Sequence, residues 1–140
     1  MTAKTRVTIW ILAAVWLAGL AMLAPKFLSI SRDTKRVERI FADYGAALVA
    51  HHFENAYQLC SPDFQAATSY EQFVNWQDNM ETRYGRLKSV ERQALKVHCD
   101  NAGCTATISA SLKYENGTVQ YKYALHKDGD RWSIFGGQEL

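Results

Sequence analysis

The sequence lacks an excess of charge of either sign beyond its first six residues. Of the 16 basic residues, only Lys4 and Arg6 lie in that lead, and the other 14 are matched by 14 acidic residues. A protein that binds nucleic acid through its overall charge carries a basic surplus. We therefore expect no nucleic-acid partner.

Residues 7–24 lack every charged residue, and they also lack His, Asn and Gln. A helix of 18 residues is about 27 Å long, close to the thickness of a bilayer's hydrocarbon core. The segment is apolar on all sides, which is not typical of a helix at the surface of a soluble domain. It predicts a single membrane-spanning anchor.

A cleaved signal peptide is the alternative, with Lys4 and Arg6 as its basic lead. Cleavage after Ala24 would leave Pro25 beside the cut bond, and the better small-residue site around Gly19 lies inside the apolar run. An uncleaved anchor is therefore favoured. We divide the chain into an anchor or signal segment at 1–30 and an α+β domain at 31–140.

Cysteine is scarce, with three residues in the chain. Cys99 and Cys104 close a predicted hairpin on the same face, where facing side chains come close enough for a disulfide. Two reduced, half-buried thiols are the alternative. A zinc site with His98 or His126 is disfavoured because both imidazoles fall on the opposite face. We predict no metal and no cofactor, and a buried thiol at Cys60.

The two signals for membrane orientation disagree. Five basic residues lie between positions 26 and 39, against two before the apolar segment, and a strict count would place the domain in the cytoplasm. A disulfide predicts an oxidising compartment instead. Because paired cysteines in register are harder to obtain by accident, we predict a domain outside the cytoplasmic membrane, periplasmic or extracellular.

Three helices are predicted before residue 86. The first covers 33–52, and its apolar residues recur at helical spacing. The second is shorter and ends at Ser61-Pro62, since a residue before proline avoids the helical region. The third begins at a capping box of Ser69 and Gln72 and ends at Gly85. His51, at the end of the first helix, is interpreted as a favourable partner of the helix dipole, not as a catalytic group.

After Gly85 the hydrophobic period changes to two, which predicts four antiparallel strands with one apolar face. The turns at Asn116-Gly117 and Asp128-Gly129 predict two-residue loops, and an irregularity is expected near Val90 and Glu91. The predicted partners are Val97 with Ala106, Leu95 with Ile108, Tyr114 with Val119, Leu112 with Tyr121, Ala110 with Tyr123, Ile108 with Leu125, Leu125 with Trp132, and Tyr123 with Ile134. The fold class is therefore α+β, with three helices packed on a curved four-stranded meander.

This order resembles the nuclear-transport-factor-two-like superfamily, the cystatin-like α+β cone, in a small membrane-anchored bacterial form. The resemblance covers residues 33–137. It is carried by residues 46–64, the SYEQF stretch at 69–73, the Tyr84-Gly85 exit and the closing DRWSI at 130–134. Its motifs mark the fold and not an activity, because the superfamily includes isomerases, dehydratases, transport adaptors and secretion-system scaffolds.

Cones of this superfamily often enclose a pocket, so the resemblance implies a candidate lining of aromatic and sulfur-containing side chains. An ordinary packed core is the alternative for the same residues. The candidates are Tyr44, Tyr57, Phe73, Trp76, Met80, Tyr121, Tyr123 and Trp132.

An isomerase or dehydratase needs an acid or a base facing the pocket, and the predicted inward positions offer none; Asp63 alone has an ambiguous place. We therefore expect a non-enzymatic envelope protein whose domain binds a protein partner or an apolar ligand, with a homodimer through the sheet as a further option. A scaffold subunit of a secretion or conjugation machine and an isomerase-type or dehydratase-type enzyme are the alternatives.

Overall fold

The computed structural model describes residues 28–140. The chain consists of two compact units, with the boundary between Asp33 and Thr34, and the second unit contains the α+β domain. Within the described part of the chain, no helix is both long and apolar enough to cross a membrane. The predicted anchor at 7–24 lies outside the described residues.

The second half of the domain is a four-stranded antiparallel sheet whose strands are neighbours in chain order, as the alternation predicts. The helices are α1 at 28–49, α2 at Phe53–Gln58, α3 at Pro62–Ala67 and α4 at Tyr70–Tyr84. The strands are β1 at Leu87–Asp100, β2 at Gly103–Tyr114, β3 at Gly117–Asp128 and β4 at Arg131–Glu139. The α+β class is confirmed, but the described residues form four helices where three were expected.

The additional helix, α3, begins at the dipeptide that the sequence analysis interpreted only as a stop. The Ser61 hydroxyl accepts a hydrogen bond from the Phe64 backbone N–H at 3.1 Å, and Pro62 occupies the first helical position. Proline is tolerated there because that N–H has no partner within a helix. Ser61-Pro62 therefore ends one helix and begins another.

The other helix ends follow local rules. The capping box predicted at Ser69 and Gln72 is present, and Gly85 ends α4 with a φ of 80°. After α1, the His51 N–H donates to the Leu48 carbonyl and the His52 N–H donates to the Ala47 carbonyl. This is a Schellman motif, which needs a left-handed residue at the position of His51. The φ of His51 is accordingly 58°.

The first hairpin has the predicted register. Cys99 is opposite Cys104, Val97 opposite Ala106, and Leu95 opposite Ile108. The irregularity expected near Val90 and Glu91 takes the form of two register shifts that flank them, between positions 87 and 89 and between positions 92 and 94. Such shifts insert a residue into one strand and bend it.

The second hairpin is shifted by two residues from the predicted register. Leu112 pairs with Val119 and not with Tyr121, because the two-residue loop is Glu115-Asn116. The backbone N–H of Glu115 donates to the Arg86 carbonyl and that of Asn116 donates to the Tyr84 carbonyl. The link between α4 and β1 therefore holds this turn one residue earlier than the Asn-Gly pattern indicates.

The register of the third hairpin also differs from the prediction by two residues. Its two-residue loop is Gly129-Asp130, so Leu125 pairs with Ile134 and not with Trp132. Gly129 has a φ of 58°, and a positive φ at the first loop position alone is the pattern of a type II′ turn. A further shift follows between Ala124 and Leu125. A displacement of two residues leaves every side chain on its predicted face.

The core lies between the helices and one face of the sheet. From α1 it receives Val37, Phe41, Tyr44 and Leu48, which form the predicted apolar stripe. Trp132 is 2% exposed, and Cys60 is buried, as predicted for its thiol. Trp76 is only half-buried.

Candidate functional site

A cavity of about 320 Å³ lies between the helices and the last two strands of the sheet. Half of its lining consists of aromatic side chains, and the remainder is small, aliphatic or polar. The aromatic residues are Tyr44, Phe64, Phe73, Trp76, Tyr121 and Tyr123. The other residues are Cys60, Thr68, Gln72, Ile134, Gly136 and Gly137.

Helix α4 and strand β3 both contribute aromatic rings to the lining of the cavity. Phe73 and Trp76 are three residues apart and therefore share a helix face, and Tyr121 and Tyr123 are two residues apart on one face of a strand. The Trp76 and Tyr121 rings meet edge to face with centroids 5.5 Å apart. The rings of Tyr121 and Tyr123 lie 5.1 Å apart. These ring-to-ring contacts hold the aromatic side chains of the cavity lining in fixed positions.

Gly137 lets two of those rings lie close to β4. It pairs with Tyr123, so a side chain at this position would point to the same face. A Cβ atom there would lie 2.9 Å from ring carbons of both Tyr121 and Tyr123. The position therefore excludes any larger residue without movement of the rings. Gly136 differs, because a Cβ at that position meets nothing within 4 Å.

The phenol groups inside the domain stay protonated at neutral pH. Burial raises the pKa of Tyr44 and of Tyr123 well above the ordinary value, and burial also raises the pKa of Tyr121. Desolvation disfavours the charged phenolate, which explains the direction of all three shifts. Each hydroxyl is therefore a potential hydrogen-bond donor and not an anion.

The cavity brings together five of the predicted pocket residues, and three others lie elsewhere. Those at the cavity are Tyr44, Phe73, Trp76, Tyr121 and Tyr123. Met80 is part of the buried core, and Trp132 lines a separate groove with Arg36 and Arg39. The Tyr57 hydroxyl donates to the Thr68 carbonyl at 2.7 Å, which ties α2 to the end of α3. Asp63 is exposed on the first turn of α3.

Sequence patterns did not predict the part of the lining contributed by α3, its flanks and the end of β4. Phe64 and Thr68 were out of reach because the helix was not predicted. Gly136 and Gly137 carried a usable signal, since glycine inside a strand often marks a close approach of another group. Their place at the cavity also depends on the two-residue shift of the last hairpin.

The disulfide lies at the far tip of the first hairpin. Cys99 and Cys104 are bonded, with Cα atoms 4.1 Å apart, as predicted. Their loop includes Asp100, whose carboxylate accepts a hydrogen bond from the Ala102 N–H at 2.8 Å. This hydrogen bond lowers the pKa of Asp100.

Comparison with known proteins identifies a fold and no family. No family model matches the chain, and no curated protein matches its sequence. A solved structure titled "Structure of Bdellovibrio bacteriovorus Bd1075" is similar, with a TM-score of 0.56 and 13% sequence identity. The match covers 76% of this chain but only 39% of that chain. At this level of identity, the likeness supports the α+β fold alone.

Proposed function

We propose that this protein binds a small, largely apolar molecule in the aromatic cavity. The observation that carries the proposal is a space of about 320 Å³ with aromatic side chains as half of its lining. Protein interiors are packed densely and seldom leave voids larger than a water molecule. Ligand pockets begin at about 300 Å³ and are lined mostly by apolar groups. The volume and the aromatic lining of this cavity therefore match those of a ligand pocket and not those of a packing void.

We infer a binding role and no catalysed reaction. The polar side-chain groups of the lining are phenols, an indole N–H, a thiol, an amide and a hydroxyl, contributed in part by Cys60, Thr68 and Gln72. Burial raises the pKa of the Cys60 thiol to about 12, which keeps it protonated and a poor nucleophile. These groups can orient a ligand through hydrogen bonds, and the lining gives no support for a general base.

We further infer membership of the nuclear-transport-factor-two-like superfamily and display of the domain outside the cytoplasmic membrane. Helices followed by a four-stranded meander support the first inference. The apolar segment at 7–24 and the Cys99–Cys104 disulfide support the second. Mass spectrometry of protein taken from its native membrane, alkylated in denaturant before any reduction, tests the location. One labelled thiol supports export, and three labelled thiols contradict it.

The binding proposal is tested by obstructing the cavity. Thr68 lines the cavity and is half-buried, so the substitution Thr68→Phe adds a ring at the site. Thr118→Phe is the matched control, because Thr118 is exposed on β3 and lies opposite Lys113. We use ethylnaphthalene as the probe and measure equilibrium binding to the full chain in detergent, with the signal of empty micelles subtracted.

We expect the wild-type protein and the Thr118→Phe variant to bind the probe with equal affinity. Thr68→Phe should weaken binding at least tenfold. The proposal is overturned if the wild-type protein does not bind the probe, or if Thr68→Phe binds it as well as the control does.

A further inference from the structure

A groove of about 520 Å³, separate from the aromatic cavity, lies between α1 and the turn that joins β3 to β4. Three arginines line it: Arg36 and Arg39 on α1, and Arg131 at the start of β4. The two on α1 are three positions apart and therefore lie on one face of the helix. Nη1 of Arg36 lies 3.5 Å from the Asp130 carbonyl oxygen, and Arg131 donates to the Gln58 carbonyl at 3.2 Å. This arginine groove therefore brings together three guanidinium groups from two distant parts of the chain.

The carboxylates of the arginine groove do not neutralise it. Asp128 and Asp130 line it as well, which leaves one positive charge in excess. The Asp130 carboxylate lies 3.8 Å from Arg36 and its side chain is 96% exposed, so water and salt screen this pair. In the part of the chain that the structure describes, no ion pair joins a carboxylate to Arg39 or Arg131. Because each guanidinium group has five N–H donors in a fork that matches a phosphate, donors remain for an anion.

The two remaining lining side chains of the arginine groove are mainly apolar. Ile40 is half-buried, and Trp132 is 2% exposed. An inorganic phosphate ion is much smaller than a space of about 520 Å³. The groove therefore suits a phosphate group that belongs to a larger molecule with apolar parts.

Two of the three arginines belong to the basic flank at 26–39, for which the aromatic cavity gives no reason. Arg36 and Arg39 follow Ala24, the last residue of the predicted anchor, within 15 positions. Basic residues in such a flank are attracted to the phosphate groups of anionic lipids. A phospholipid headgroup is therefore the phosphate that the position of this groove in the chain favours.

We propose that the arginine groove binds the headgroup of an anionic phospholipid, and that Arg36, Arg39 and Arg131 donate hydrogen bonds to its phosphate. Such charge-assisted bonds are among the stronger ones in proteins. The inference rests on the proposed membrane anchor and not on the ligand of the aromatic cavity. It also accounts for the disagreement between the two orientation signals, because arginines that bind a lipid need not mark the cytoplasmic side.

The test measures lipid binding to the full chain in detergent by native mass spectrometry. The probes are phosphatidylglycerol, which is anionic, and phosphatidylcholine, which has no net charge. The double variant Arg36→Gln/Arg39→Gln removes two charges from the groove. Its matched control is Arg32→Gln/Lys35→Gln, which removes two charges from exposed positions of the same helix that do not line the groove.

A second pair of variants tests the contribution of β4, far along the chain from the basic flank. Arg131→Gln removes the third charge of the groove, and Lys96→Gln, at an exposed position on β1, is its control. A competition with glycerol phosphate, at the same concentration as phosphatidylglycerol, distinguishes a lipid headgroup from a free phosphate compound.

We expect the wild-type protein to prefer phosphatidylglycerol, and glycerol phosphate not to displace it. Arg36→Gln/Arg39→Gln should weaken phosphatidylglycerol binding by at least about tenfold, and Arg131→Gln by about fivefold. Both control variants should stay within about twofold of the wild-type protein, and binding of phosphatidylcholine should not change in any variant.

Three results would overturn the inference. Equal losses for the two double variants would show a diffuse attraction of the basic flank and no binding groove. Equal binding of the two lipids would remove the role of the charge, and displacement by glycerol phosphate would show that the groove takes a free phosphate compound. The anchor is tested separately by washing native membranes with alkaline carbonate, because release of the protein contradicts an anchor whichever lipid the groove binds.

Discussion

Oε1 of Glu81 on α4 lies 2.9 Å from Nε2 of His51, the residue that closes α1 in the left-handed region. The same oxygen accepts a hydrogen bond from the backbone N–H of Leu87 at 3.0 Å. One carboxylate therefore joins the end of α1, the last turns of α4 and the start of β1. This junction fixes where the sheet begins.

Loss of that carboxylate should destabilise the domain. We expect Glu81→Ala to lower the free energy of unfolding by about 1–3 kcal/mol, because the buried Leu87 N–H loses its acceptor. Glu81→Gln should cost less, since the amide retains an oxygen at that position. Chemical denaturation measures both effects, and Asn79→Ala, an exposed change on the same helix, should stay within about 0.5 kcal/mol. Equal losses for Glu81→Ala and Asn79→Ala would contradict the assigned role.

The turn at Glu115 should make stability fall at acidic pH. The Lys88 ammonium lies 2.9 Å from this carboxylate, and the Arg86 N–H donates to it at 3.2 Å. The side-chain hydrogen bond from Lys88 and the backbone bond from Arg86 lower the pKa of Glu115 below its ordinary value of 4.5. A lowered folded-state pKa stabilises the protein above the unfolded-state value, and the contribution disappears as pH falls through the folded-state value.

Chemical denaturation of the wild-type protein and the Glu115→Gln variant, from neutral to acidic pH, measures how this contribution to stability changes. The difference in stability should be constant above about pH 5.5, shrink from about pH 4.5 downward, and be smallest at the most acidic pH. A difference that does not change with pH would show that Glu115 acts without its charge.

Trp132 is expected to be a main contributor to the core. It is 2% exposed, so Trp132→Ala should lower the free energy of unfolding by about 3–5 kcal/mol. The control is Phe135→Ala, because Phe135 is 40% exposed and stacks on His126 at the surface. That change should cost about 1 kcal/mol or less. If Trp132→Ala lowers the free energy of unfolding by less than about 1 kcal/mol, the stability of the core does not depend on this side chain.

Two adjacent glycines on β4 should differ sharply in their tolerance of a methyl group. Gly137→Ala should destabilise the domain by about 1–3 kcal/mol, because its Cβ would force the Tyr121 and Tyr123 rings to move. Gly136→Ala should be neutral or slightly stabilising, since its Cβ meets open space and alanine restricts the unfolded chain. Thermal unfolding of the two variants makes the comparison. Similar melting temperatures for the two variants would show that the Tyr121 and Tyr123 rings do not lie as close to Gly137 as the structure indicates.

Cys60 should resist alkylation in the folded protein. It is 1% exposed, its thiol contacts the Ala56 carbonyl at 3.7 Å, and burial raises its pKa to about 12. Only the thiolate reacts at a useful rate. We expect iodoacetamide to label Cys60 within minutes in denaturant and only on the timescale of unfolding in native buffer. Rapid native labelling, followed by mass spectrometry, would show that the cavity admits the reagent to an ionised thiol.

Hydrophobic alternation predicted which face of each strand is buried, because side chains point to opposite faces with a period of two. The pairing of Cys99 with Cys104 and the capping box at Ser69 were also predictable, since each depends on residues a few positions apart. Such interactions are local, and the sequence by itself determined them.

The tertiary structure decided the register of the last two hairpins, and through it the lining of the cavity. A shift of two residues keeps every side chain on its face, so alternation cannot distinguish Leu112 opposite Tyr121 from Leu112 opposite Val119. Backbone hydrogen bonds that Glu115 and Asn116 donate to carbonyls at the link between α4 and β1 make that choice. The same dependence on distant partners brings Gly137 beneath Tyr123, because β4 reaches that place only after the turn at Gly129 and the shift at Ala124.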